Sequence, residues 1–145
     1  MPKPAKLPAF IAPQIPALSA EPPTGSGWIH EIKHDGFRTL LRLESGSAQA
    51  FSRGGHDWTD KYRRVVQACR KLRCHSASVD GEIIVQDEKG ISDFAALRAA
   101  LDRETHRLVM FAFDMLFLDG IDLRRLPLIE RGENLRRLIP LNPSL

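Results

Sequence analysis

Between residues 28 and 53 the chain carries three short runs, 28–33, 37–44 and 47–53, in which apolar and polar residues alternate, separated by turn signals at Asp35-Gly36 and Ser45-Gly46. A period of two belongs to a strand half covered by a core, and so short a turn joins antiparallel neighbours. The folded part is therefore expected to open with a three-stranded antiparallel meander. Further on the signals are mixed. From Asp60 to Leu72 the apolar residues Tyr62, Val65, Val66, Cys69 and Leu72 recur at helical spacing, with Thr59 as the expected N-cap. Val79 to Gln86 is a β-branched strand closed by the turn Asp87-Glu88-Lys89-Gly90, and Ser92 or Asp93 caps a second amphipathic helix carrying Phe94, Leu97 and Leu101. Leu108 to Leu118 is nearly continuous in apolar residues, the pattern of a central strand covered on both faces, but Asp114 interrupts it. A last amphipathic helix, weakened by Gly132, spans Leu128 to Ile139. These elements predict an α+β fold of antiparallel sheets with flanking helices.

Seven of the ten prolines lie in residues 1–26, so a Pro-rich arm is expected there and a single domain over 27–145. No apolar run approaches the roughly 20 residues that span a bilayer, and the start does not resemble a secretory signal, so a cytoplasmic protein is expected. Lys and Arg exceed Asp and Glu only by 21 to 18, which permits a polyanionic partner without demanding one. Their placement is more telling. Lys61 to His75 holds six basic residues and no acidic one, and Arg124-Arg125 and Arg136-Arg137 form a second basic cluster. Cys69 and Cys74 are too few for a disulfide framework and lack metal-type spacing with the histidines, so they read as reduced and structural.

Four features can carry chemistry. Lys33, placed by the alternation at a strand end beside the turn, shares a face with Glu31, and Gly36 leaves room for an approaching phosphate. A lysine amine attacks only when deprotonated, which requires desolvation or a neighbouring positive charge. Arg53, followed by two glycines, can fork onto phosphate oxygens, although Arg-Gly-Gly is also common loop composition. Asp80 and Glu82, two apart in a strand, present two carboxylates to one face, suited to a ribose hydroxyl or the water shell of a hard cation, or else merely solvated at an edge. Phe111 and Phe113 alternate onto one face beside Asp114, where a ring can stack on a purine or simply fill the core.

Taken in order, these stretches resemble the nucleotidyltransferase domain of ATP-dependent DNA ligases, an ATP-grasp-like fold, most closely the bacterial end-joining type. The resemblance covers about Ala12 to Leu138. It rests on Lys33-His34-Asp35-Gly36-Phe37-Arg38, similar to the family's Lys-x-Asp-Gly-x-Arg motif, on Ser52 to Thr59, on Asp80-Gly81-Glu82 and on Phe111 to Asp114. It implies that Lys33 attacks the α-phosphorus of ATP to form lysyl-AMP. It further implies that Glu31 contacts adenine through its backbone, Arg38 and Arg53 contact phosphate, Glu82 serves the ribose and a Mg2+ ion, and Phe113 stacks on adenine. The implied partner is nicked or broken double-stranded DNA, and the implied role is repair.

The family's later Glu-Gly and Lys-x-Lys strands and its OB-fold domain are not in this sequence, so the domain over 27–145 is expected to be partial. Self-association, or pairing with a chain that supplies those strands, is expected in consequence. Weak adenylylation by this chain alone is expected too. A non-catalytic nucleotide- or DNA-binding remnant is the alternative function. An RNA ligase or capping-type enzyme ranks behind both, because Leu126-Pro127-Leu128-Ile129-Glu130-Arg131 resembles DNA ligases.

Overall fold

The structure, a computed structural model, describes residues 3–139; the ends of the expected arm and of the expected 27–145 domain lie outside the described residues. Strands β1 (Phe37–Glu44), β2 (Ser47–Ser52), β3 (Ser76–Ile84), β4 (Val109–Leu118) and β5 (Ile121–Asp122) form one sheet in the order β2-β1-β3-β4-β5. Every pairing is antiparallel. Helix α1 (Arg63–Cys69) follows β2, α2 (Phe94–Arg103) follows β3, and α3 (Leu128–Leu138) follows β5. The α+β class and the antiparallel sheet are as the sequence predicts.

The β1–β2 hairpin forms where the turn signal lies, with Ser45 at φ 50° and Gly46 at φ 77°, the left-handed pair that matches strand twist. The first strand of the expected meander does not form. Residues 28–33 adopt no regular structure, and Trp28, Ile29 and Ile32 are 58%, 49% and 81% exposed. Strand β1 takes β2 along one edge and β3 along the other. No free row of N–H and C=O groups is then left on β1 for a preceding strand, whatever its pattern. Lys33 is accordingly on an exposed connecting segment, not at a strand end.

Helix α1 starts later than expected, and Thr59 does not cap it. The Thr59 hydroxyl instead accepts from the Ala50 N–H at 3.1 Å, tying the segment after β2 back onto that strand. Tyr62 takes the N-cap position without a side-chain hydrogen bond. At α2 Asp93 is the cap, accepting from Ala96 N–H at 2.9 Å.

Alternation on the strands separates two faces. Leu41, Leu43, Val79, Ile83 and Met115 pack with Tyr62 and with Val66 and Cys69 of α1, Leu97 and Ala100 of α2, and Leu135 of α3. Burial pushes the Cys69 thiol up to about 12 and the Cys74 thiol up to about 11, so neither is a thiolate near neutrality. On the opposite face Leu40, Leu116 and Phe117 pack against Leu7 and Ile11 of the N-terminal arm. The arm has no helix or strand among residues 3–26, yet it is a strap. Ala5 N–H donates to Gly120 O at 2.7 Å, and Arg42 Nε donates to Pro8 O at 3.0 Å. Burying Leu7 and Ile11 contributes about 2 kcal/mol each toward holding it there.

Strand β4 departs from the expected uniform central strand. Its pairing with β3 skips Leu116 and Phe113, so each is an extra residue at a bulge. Bulges turn side chains off the alternation. That is how Leu116 and Phe117, consecutive in sequence, both reach the arm-side core. β5 pairs only with Phe117 and Leu118, so among the described residues the start of β4, including Val109 at 40% exposure, has no strand partner on that side.

Candidate active site

Above the arm-side core the sheet opens into a cleft of about 720 Å³. Glu31, Lys33, Arg38, Arg53, Glu82 and Phe113 all line it, as do Trp58, His34 and, from the arm, Gln14 and Pro16. The six residues singled out in the sequence thus meet in one concavity, delivered by four separate segments.

Arg38 is the most firmly held of them. It points off β1 to the side opposite Thr39 and Leu41, and its fork closes on Asp80 of β3, Nε to Oδ1 at 2.6 Å and Nη2 to Oδ2 at 2.7 Å. Nη2 also donates to Gln14 O at 3.3 Å, which stitches the arm to the cleft. The guanidinium lies 4.8 Å from the centre of the Phe113 ring, a cation–π distance. The bulge at Phe113 places that ring in the cleft. Asp80 is 2% exposed, and burial pushes its carboxyl up against the pull of the Arg38 fork. Of the two carboxylates of β3, then, Asp80 is committed to orienting an arginine, and Glu82 is the one that lines the cleft. Burial raises Glu82 as well, while the Gly36 N–H, Arg38, Lys33 and His34 draw it back down.

Gly36 and Gly81 share one physical reason for being glycine, the close approach of neighbouring backbone. A Cβ on Gly36 would run into the Ile83 carbonyl, and one on Gly81 into the Phe111 carbonyl. Glycine at these positions lets neighbouring backbones come together where the cleft is built.

Lys33 stands in a different environment from the one a nucleophile needs at rest. Its Nζ donates to Asp35 Oδ1 at 2.7 Å, with the two side chains 87% and 65% exposed. The Asp35 hydrogen bond and charge raise the Lys33 pKa, and Lys33 lowers that of Asp35. Of the two routes to a free amine, desolvation or a neighbouring positive charge, the exposed side chain does not offer the first, and its pKa is raised rather than lowered. The segment bearing it touches the body at His34, whose ring centre is 4.1 Å from that of Phe111, and at Asp35, whose N–H donates to Ser92 Oγ at 3.0 Å.

Arg53 leaves the end of β2 on a tight loop in which Gly55 N–H donates to Ser52 O at 2.9 Å and His56 N–H to Ser52 Oγ at 3.1 Å. Among the described residues no group of three or more His, Cys, Asp or Glu is placed to hold a metal ion. Glu82 alone could contribute to one, which fits a hard cation that keeps most of its shell as water and phosphate oxygen.

Sequence reasoning missed three residues, two on the arm and one on α3. Gln14 and Pro16 belong to the arm, and only the apolar spacing of Leu7, Phe10 and Ile11 hinted that the arm would pack. Arg131 of α3 explains Asp114: its fork reaches the carboxylate with Nε to Oδ1 at 2.8 Å and Nη2 to Oδ2 at 3.0 Å, and Nη1 donates to Leu126 O at 2.7 Å.

Known proteins resemble this chain in sequence and fold. The chain is 36% identical over 134 residues to the multifunctional non-homologous end joining protein LigD of Pseudomonas aeruginosa, covering 92% of this chain and 16% of that protein. It is 30% identical over 139 residues to the bifunctional non-homologous end joining protein LigD of Bacillus subtilis, covering 86% of this chain and 23% of that one. The chain therefore spans less than a quarter of these two relatives. The crystal structure of the ligase domain from M. tuberculosis LigD superposes with a TM-score of 0.68 at 31% identity, over 74% of this chain and 36% of that chain. A mycobacterial DNA ligase D complexed with ATP and MES superposes with a TM-score of 0.68 at 32% identity, over 74% and 35%. The sequence pattern of the ATP dependent DNA ligase domain runs through residues 15–144. With that pattern running from Ile15 to beyond Arg131 and taking in every residue of the cleft but Gln14, the chain belongs to the ATP-dependent DNA ligase domain family, of the bacterial end-joining kind.

Proposed function

We propose that the cleft binds ATP and that Lys33 accepts its AMP, as the first step in sealing nicked or broken DNA during repair. The observation that carries this reading is the convergence of Lys33, Arg38, Arg53, Glu82, Glu31 and Phe113 on one cleft from separate segments. Lys33 Nζ forms a P–N bond to the α-phosphorus as the bond to the bridging oxygen breaks and pyrophosphate leaves. Before that the ammonium gives up its proton to solvent water, to which its exposed side chain is open, so the Asp35 ion pair must be released. Arg53, on an open loop, and Arg38, preset by Asp80, face phosphate oxygens on which charge builds. Phe113 offers a face to the adenine, and Glu31 backbone a polar contact. Glu82 would hold a Mg2+ ion arriving with the nucleotide, which when bound offsets charge on the phosphate oxygens.

Incubation with ATP labelled at the α-phosphate, followed by denaturing electrophoresis, tests the proposal. A covalent label that is absent from Lys33→Ala supports it; full label in that variant moves the nucleophile elsewhere. The second reading, a non-catalytic nucleotide- or DNA-binding module, draws on the resting Lys33–Asp35 pair, which keeps the amine protonated. ATP binding without label would favour it.

The DNA contact proposed is electrostatic. Lys61, Arg63, Arg64, Arg70, Lys71 and Arg73 are all exposed on and around α1, a placement suited to sequence-independent contact with the phosphate backbone. Affinity for duplex DNA is expected to fall steeply from low to physiological salt; a footprint that survives high salt and depends on sequence would contradict it. Exposed Ile121, Leu128 and Ile129 on β5 and α3 support association with a second copy or a partner chain, to be checked by sedimentation at micromolar concentration. Among the described residues no helix is long and apolar enough to cross a membrane.

A further inference from the structure

Among the described residues the segment that carries Lys33 is in no strand; it meets the body through the Phe111 ring against His34, the Ser92 hydroxyl against the Asp35 N–H, and the Gly36 N–H beside Glu82. Ser92 itself belongs to none of the motifs of the cleft. We infer that Ser92 is a positioning residue for the reactive lysine, holding the Asp35 backbone in place and with it the stretch of backbone, two residues away, from which Lys33 extends over the cleft. This inference rests on the adenylylation reading.

Ser92 is itself anchored as a reference point needs to be. It pairs with Gln86 across an isolated bridge that closes the turn after β3. Inside that turn Asp87 Oδ1 accepts from Lys89 N–H at 2.8 Å and Ile91 N–H at 2.9 Å, and Asp87 N–H donates to Ile91 O at 2.8 Å. On the other side Asp93 donates its N–H to Val85 O at 2.8 Å while its carboxylate caps α2. Phe94, the first residue of α2, packs its ring 5.4 Å from that of Phe37, so the same turn touches the chain just beyond Gly36. Ser92 Oγ thus projects from a rigid turn onto the backbone of the residue that holds the lysine. Because reaction rates fall steeply when a nucleophile strays by an ångström, loss of this one hydrogen bond should slow transfer without changing how ATP is held.

The full chain is compared as wild type, Ser92→Ala and Ser92→Thr, with two readouts. Hydrogen exchange at the Asp35 amide is expected to quicken roughly fivefold in Ser92→Ala and to return toward wild type in Ser92→Thr, which keeps the hydroxyl. The rate constant for AMP labelling at saturating ATP is expected to drop about tenfold in Ser92→Ala, with the ATP concentration at half-maximal rate unchanged and rescue by Ser92→Thr. Unchanged Asp35 exchange, or an unchanged labelling rate constant, overturns the role. A general loss of structure would show as faster exchange throughout β1 and β3 and a rise in the half-saturating ATP concentration, and that outcome also counts against it. If wild type forms no label, the adenylylation reading fails by itself, and the exchange at Asp35 still decides whether Ser92 anchors the segment.

Discussion

Two ion pairs, only a few residues apart along one motif, differ in almost everything but distance. Lys33–Asp35 spans 2.7 Å and Arg38–Asp80 spans 2.6 Å, yet the first pair is 87% and 65% exposed and the second 20% and 3%. Water screens the first, so it can be given up when a competing anion such as a triphosphate arrives. The second is enclosed by the sheet, the arm and Phe113, and breaking one side of it would strand a charge away from water. The difference separates a releasable part from a fixed one: the lysine is kept on a screened tether, while the arginine proposed to meet phosphate is set in the sheet before any ligand comes.

The largest expected effect is on chemistry. Lys33→Ala is expected to remove all AMP labelling while shifting the melting temperature by less than about 2 °C, since it deletes only a screened surface pair. A melting temperature that fell as far as that of an Arg38 variant would break the comparison. Arg38→Ala is expected to lower the stability to urea by about 3 kcal/mol, because it leaves Asp80 buried and unpaired. Adding Asp80→Asn should recover part of that loss in a double-mutant cycle, and a simple sum of two losses would show that the pair is not coupled. Arg131→Ala sharpens the middle of the range, for its pair with Asp114 is 14% exposed on both sides. About 2 kcal/mol is expected there in the same measurement.

The smallest effect is at the sheet edge, where Arg124 holds the half-exposed Asp122 carboxyl down to about 2. A carboxyl whose pKa is depressed in the folded state stabilises it above the ordinary carboxylate range, and that contribution disappears as pH falls through the folded value. Arg124→Ala should therefore cost less than about 1 kcal/mol near neutral pH, with the gap from wild type closing by about pH 2. A gap that stayed constant with pH would assign the loss to packing of the arginine stem.

Most of the secondary structure was legible because it follows from local pattern. The β1–β2 hairpin, α2 with its Asp93 cap, and α3 over nearly its full expected length come from alternation, a 3.6-residue period and cap chemistry. Local pattern misled at residues 28–33, where strand-like alternation met a β1 with both edges already taken. It misled again at Thr59, whose hydroxyl serves the Ala50 N–H in place of a helix end. The candidate site was visible as ordered motifs, but not its internal division of labour.

By itself the sequence determined which residues would be candidates for the site and that the fold would be an antiparallel sheet with helices, since residue type, spacing and turn signals are properties of the chain. Only the tertiary structure decided that Asp80 belongs to Arg38 and Asp114 to Arg131, that the Pro-rich arm is a strap against the sheet, and that Ser92 reaches the lysine segment. Each of those is a contact between residues distant in sequence. Strand order, bulges and burial set such contacts, and none of the three is written in any local period.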